Sequence, residues 1–146
     1  MANVTFIGAG SAVFARNLLR LMSNRVRNDN THLQRSFHLQ REYERAAKTD
    51  LLGIDPAVLD KNEAVSEAVA RAMAEGALSR SNADLAIAVT GFAGPAGDGC
   101  EEGLVHFALA RKGQPTTHRI EHFGPAGRGP VRVNSLRVML EMLSEA

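Results

Sequence analysis

A chain of 146 residues with 17 Lys and Arg against 16 Asp and Glu, formal net charge +1, has no bulk field to draw in nucleic acid or an anionic membrane. Its composition, 45% hydrophobic and 23% charged, is that of a globular protein forming one domain over 1–146, and no apolar run approaches the roughly 18 residues of a membrane span. The single cysteine, Cys100, cannot form an internal disulfide, and Met1 to Gly10 lacks the basic start and long apolar stretch of a leader, so the expected location is the cytoplasm.

Val4 to Ile7 is a short β-prone run closed by Gly8-Ala9-Gly10. Phe14, Leu18, Leu21, Met22 and Val26 then fall on one helical stripe, and from Arg27 to Arg45 the chain turns polar, with a turn signal at Asn28-Asp29-Asn30. Ala46 to Leu52 reads as a short helix stopped by Gly53, with Pro56 just beyond. Ser66 is positioned to cap a helix to about Ser79, in which Val69, Met73 and Ala77 recur one turn apart. Asp84 to Thr90 is nearly all apolar without alternation, the pattern of a central strand covered on both faces. Gly91 to Gly103 holds Gly91, Gly94, Gly97, Gly99 and Gly103 and must be a loop.

Strands at Leu104–Ala110 and Thr116–Phe123 flank Lys112-Gly113-Gln114, a hairpin signal, and the second alternates His118, Ile120 and His122 against Thr117, Arg119 and Glu121. Pro130 suits the first turn of a last helix with Val131, Leu136, Met139, Leu140 and Leu143 as its buried stripe. The order of elements implies an α/β fold, a three-layer α/β/α sandwich with a mixed β-sheet.

The strongest local signal for chemistry is Thr90-Gly91-Phe92-Ala93-Gly94-Pro95, at the end of the most apolar strand. Ligands collect at the carboxyl ends of strands in open α/β sheets, and glycines let backbone N–H groups approach a phosphate or oxyanion. The same glycines can serve a tight turn alone. Tyr43 and Lys48, five apart, could relay a proton and act as base toward a hydroxyl, or simply decorate a solvated helix. Arg128 and Arg132, around the start of the last helix, could clamp a phosphate or form an exposed face. Five scattered histidines, of which His118 and His122 share a strand face without metal-spaced neighbours, do not suggest zinc, so no metal is expected. Gly8-Ala9-Gly10-Ser11 fails as a dinucleotide fingerprint because Val13 replaces the third glycine and no second strand ending in an acid follows.

From Ala47 onward the chain resembles the CinA C-terminal family, the nicotinamide-nucleotide amidohydrolases. The resemblance is carried by Ala47-Lys48-Thr49-Asp50-Leu51-Leu52-Gly53-Ile54, Ala64-Val65-Ser66-Glu67, Met73-Ala74-Glu75-Gly76-Ala77-Leu78, Val89-Thr90-Gly91-Phe92-Ala93-Gly94-Pro95, and Gly127-Arg128 with Val131-Arg132. It implies hydrolysis of nicotinamide mononucleotide to nicotinic acid mononucleotide and ammonia, without a cofactor and with a small-molecule nucleotide as partner; self-association into a homo-oligomer is left open. By motif, the resemblance makes Ser11 the nucleophile, Lys48 and Tyr43 its catalytic partners, and Thr90, Gly91, Gly94 and Arg128 the substrate-binding groups. Residues 46–146 are the family-like core and 1–45 are atypical: Ser11 and Tyr43 stand 32 apart where the family has about ten, and the Glu-Ser-Cys-Thr-Gly-Gly block is absent. Val4 to Leu19 instead resembles the opening of family 4 glycoside hydrolases, which bind NAD there, although their activity is not implied. Two further readings therefore stand beside the enzyme: an inactive nucleotide-binding or regulatory domain, and a dinucleotide-binding fragment at Gly8 to Ser11.

Overall fold

A computed structural model describes residues 48–97 and 99–146, residue 46, and the backbone of residues 4–9. The helical stripe expected from Phe14 to Val26, Ser11 and Tyr43 lie outside the described residues. Four strands form one sheet in the order β1 (Val4–Ala9), β2 (Leu85–Gly91), β3 (Leu104–Arg111), β4 (Thr117–His122). β1 runs parallel to β2, from Val4 opposite Leu85 to Ala9 opposite Thr90, while the β2–β3 and β3–β4 pairs are antiparallel. The sheet is mixed, as the pattern of elements implies.

Helical turns at 48–52 end at Gly53, whose φ of 61° is the left-handed conformation glycine adopts without a Cβ penalty. Gly53 N–H donates to the Thr49 carbonyl at 2.8 Å, closing the αL motif. Pro56, which reads in the sequence as a mark beyond a helix end, opens a new one: α1 (Pro56–Lys61) has Pro at N1, and Asp55 caps it by accepting from Ala57 N–H at 2.8 Å. α2 (Glu67–Ser79) begins at the expected Ser66 cap. α3 (Arg128–Ser144) closes the fold after Gly127. No helix among the described residues is long and apolar enough to cross a membrane.

The two faces of the sheet are packed differently. Toward α2 the strands present Ala86, Ala88, Ala108 and Ala110, against which lie Val69, Ala70, Met73, Ala74 and Ala77, together with Leu52, Ile54 and Leu59. Small side chains on both partners bring the helix close to the sheet. The opposite face carries Ile87, Val105, Phe107 and Leu109, covered by Val131, Val138 and Met142 of α3. Helices thus lie on both faces, which gives the three layers.

The stripe expected on α3 is corrected by this packing. Val131, Ser135, Val138 and Met142 are its buried positions, whereas Leu136 and Leu140 are 49% and 54% exposed. Serine at 135 does not read as core in the sequence. It is admitted because its hydroxyl donates to the Val131 carbonyl one turn back, at 2.8 Å. On β4 the charged Arg119 and Glu121 are also partly covered, since Arg119 bonds Glu121 at 2.6 Å and reaches Glu141 of α3 at 3.0 Å.

Candidate functional site

The carboxyl end of β2 brings several of the sequence-derived residues into one neighbourhood. Thr90 is 2% exposed, and its Oγ1 donates to the Ala64 carbonyl at 2.9 Å, tying the strand end to the turn that precedes α2. With its hydrogen given to Ala64, the hydroxyl keeps two lone pairs with which to accept from an N–H or O–H group. Gly91, the last residue of β2, lies close against β3: a β-carbon there would stand 2.7 Å from the Leu104 carbonyl oxygen.

Beyond it the glycine loop is held at its base. Phe92 N–H donates to the Leu104 carbonyl at 2.9 Å, and Gly103 N–H returns to the Phe92 carbonyl at 2.8 Å. Within the loop Gly94 is buried, and Arg128 lies directly on it. A β-carbon at Gly94 would stand 2.9 Å from Arg128 Nε and 3.1 Å from Nη2. The guanidinium thus rests against the glycine, where a methyl group would displace it. Arg128 is itself exposed and opens α3, whose first N–H groups have no partner within the helix. A guanidinium, a helix start and a glycine loop at one place suit an anionic group. Arg132 is exposed on the same helix, and among the described residues no hydrogen bond or ion pair ties it to the loop.

Lys48 is 8% exposed, an unusual burial for an amine, since lysine is seldom inside unless it is paired or functional. Its helical turns are fixed from two directions. Arg80, just past α2, donates to the Leu52 carbonyl at 2.8 Å, and Gly76 leaves space for that same carbonyl. Leu52 and Ile54 belong to the cluster on the α2 face of the sheet, which is also the side on which the Thr90 hydroxyl meets Ala64. The turns that carry Lys48 and the turn that receives the Thr90 hydroxyl thus both lie on the α2 side of the sheet, the first against the C-terminal end of α2 and the second just before its start. Two clefts, of about 350 and 590 Å3, lie instead around the β3–β4 turn, where both are lined by Arg111, Gln114 and Pro115, and neither is lined by Lys48, Thr90, Gly94 or Arg128.

The sequence missed a cluster beside Thr90. His106 on β3 is the cross-strand partner of Thr90 and is 8% exposed, and its Nδ1 lies 3.0 Å from His118 Nε2. His118 Nδ1 in turn faces Glu67 Oε2 at 3.5 Å, and His122 Nδ1 meets Glu101 Oε1 at 2.7 Å. These carboxylates arrive from α2 and from the glycine loop, so local spacing around the histidines could not reveal them. The pairing of His106 and His118 through ring nitrogens is direct. Among the described residues no group of three or more His, Cys, Asp and Glu side chains could hold a metal ion.

Burial pushes both imidazoles below their ordinary range; at His106 the neighbouring His118 adds to this, and at both Glu67 works against it. Glu67 itself is held below the usual carboxylate range, first by its hydrogen bond to Arg71 and then by His118. The unfolded chain takes up imidazole protons near pH 6.5 and the folded chain only at lower pH. Protons then favour the unfolded state, and stability falls as pH drops below about 6.5. His118→Gln, which keeps a donor and an acceptor but does not titrate, is expected to flatten that acid slope in urea unfolding between pH 7 and 5. An unchanged slope would assign it to other groups.

The fold defines the class: an α/β domain with a mixed sheet between helices, with a glycine loop facing an arginine beyond β2 and a buried lysine on the turns at 48–52. The family described as CinA C-terminal domain matches residues 42–146, and the chain belongs to it. A "CinA-like protein" of Mycolicibacterium vanbaalenii is 42% identical over 106 residues, covering 71% of this chain and 25% of that protein. A "putative competence-damage inducible protein" of Symbiobacterium thermophilum is 55% identical over 74 residues, covering 49% of this chain and 17% of that protein. This chain therefore corresponds to about a quarter or less of these relatives' length. Among solved structures, competence/damage inducible protein CihA from Agrobacterium tumefaciens superposes with a TM-score of 0.72 at 30% identity, covering 99% of this chain and 84% of that one.

Proposed function

We propose that this domain is a nicotinamide-nucleotide amidohydrolase, converting nicotinamide mononucleotide and water to nicotinic acid mononucleotide and ammonia. The observation that carries the reading is the burial of Lys48 within the family-like Ala47-Lys48-Thr49-Asp50-Leu51-Leu52-Gly53 block. In this reading Ser11 attacks the carboxamide carbon, Lys48 takes the hydroxyl proton and passes it to the departing ammonia, and Tyr43 assists. Water then releases the acid from the acyl-enzyme. Thr90, with lone pairs available, accepts from the carboxamide N–H or a ribose hydroxyl. A phosphate offers acceptors only and belongs at Arg128 beside Gly94. N–H groups near Gly91 stabilise the oxyanion. The nucleotide is the partner, the chemistry needs no cofactor, and the cytoplasm is the compartment we assign.

Incubation of the chain with nicotinamide mononucleotide is expected to release ammonia, and Lys48→Ala to abolish release while leaving the thermal transition measurable. Equal release by both proteins, or by neither, defeats the proposal. The 32-residue separation of Ser11 and Tyr43 favours one rival, a domain that binds nucleotide without turnover. Calorimetric binding of the mononucleotide with no ammonia formed would select it.

A further inference from the structure

The carboxylate at the start of α2 dictates where the hydrogens of the two imidazoles sit. His118 Nδ1 faces Glu67 Oε2 at 3.5 Å, and a bare nitrogen lone pair there would oppose a negative oxygen, so Nδ1 carries the hydrogen. Neutral His118 then has only an acceptor at Nε2, and the 3.0 Å contact requires His106 Nδ1 to donate into it. His106 Nε2 is left without a hydrogen. A proton that enters at His106 Nε2 sends the Nδ1 hydrogen across the contact to His118, which becomes the imidazolium facing Glu67. The pair holds one added proton and no more, because two hydrogens between nitrogens 3.0 Å apart would collide.

The same turn serves the site. Residues 63–67 are held at three points: Ser66 Oγ donates to the Glu63 carbonyl at 2.8 Å, Thr90 Oγ1 donates to the Ala64 carbonyl at 2.9 Å, and Glu67 meets His118. His106 closes the circuit as the strand neighbour of Thr90. We infer that His106 and His118 form a one-proton relay seated on Glu67, and that this relay positions the Thr90 hydroxyl by fixing the turn that receives it. The other charged groups around it are Arg71, which bonds Glu67 at 2.7 Å, and His122, whose far neighbour is Glu101 at 2.7 Å. The inference rests on the amidohydrolase reading only for the identity of the ligand.

Long-range proton–nitrogen NMR of the full chain labelled in histidine reads both tautomers. At pH 7.5 hydrogens are expected on Nδ1 of both His106 and His118. On acidification the pair should take one proton in a single shared step, and the amide signals of Ala64, Glu67 and Thr90 should move with the same midpoint. Glu67→Gln should mix the tautomers, shift the Ala64 and Thr90 signals at neutral pH, and weaken calorimetric affinity for nicotinamide mononucleotide by roughly fivefold, the scale of coupling between contacting residues. His106→Gln, as an independent check, should remove the pH dependence of the Thr90 signal between pH 7 and 5. Independent titration of the two rings, a hydrogen on His118 Nε2 at neutral pH, or Ala64 and Thr90 signals indifferent to these changes would overturn the relay. Failure of the wild-type chain to bind the mononucleotide would defeat the amidohydrolase reading, and the NMR signals would still decide the relay.

Discussion

Phe107→Ala is expected to cost the fold about 3–5 kcal/mol, which is a large share of the roughly 5–15 kcal/mol by which a domain is stable. Phe107 is fully buried at the centre of the β3 strand, with Ile87, Val105 and Leu109 around it and Val131, Val138 and Met142 of α3 above. Removing the ring leaves a cavity that strands on both sides prevent from collapsing, so the cavity cost adds to the lost transfer free energy. The urea midpoint should fall sharply with little change in the slope of the transition. Leu136→Ala provides the contrast. Its side chain is 49% exposed although the sequence places it in the buried stripe, and the change should lie within about 0.5 kcal/mol. Comparable losses for both variants would contradict the packing of α3.

Gly76→Ala should destabilise the protein, opposite in sign to what helix propensity alone suggests. Alanine in a helix interior gains roughly 0.5–1 kcal/mol over glycine. Here, however, the new methyl group would stand 2.1 Å from the Leu52 carbonyl oxygen and 3.0 Å from its carbon, both backbone atoms. Either α2 or the turns at 48–52 must move. Overpacking of this kind costs about 1–3 kcal/mol, so the net effect is a loss of about 1–2 kcal/mol and a melting temperature lower by several degrees. Leu52 ends the helical turns that carry Lys48, and a misplacement near 1 Å can cost about 100-fold in rate. In the proposed amidohydrolase, ammonia release is therefore expected to fall further than stability. A Gly76→Ala protein that melts higher than its parent would show that the two segments can separate freely.

Local chemistry was legible in the sequence wherever a single element settles its own ends. Ser66 caps α2, Gly53 ends the turns at 48–52, and the continuous apolar run became β2 between two layers. What escaped depends on contacts between segments far apart in the chain. Leu136 and Leu140 satisfy a helical period, yet the approach of α3 to β3 selects the stripe through Ser135 instead. The site divides in the same way. Thr90, Gly91, Gly94 and Arg128 come from motifs, but that the Arg128 guanidinium lies against Gly94 emerges only in space. His106 gives no sequence signal, because Glu67 lies 51 residues before His118 and reaches it only through the packing of α2 over β4.

The lone thiol of the chain has a practical consequence. Cys100 is exposed near the far end of the glycine loop, its N–H bonded to the Gly97 carbonyl at 3.0 Å. A thiol-reactive dye will therefore attach at one place without any cysteine having to be engineered in or out. Its emission becomes an optical gauge of how that loop sits against the start of α3, readable in microlitres and in real time.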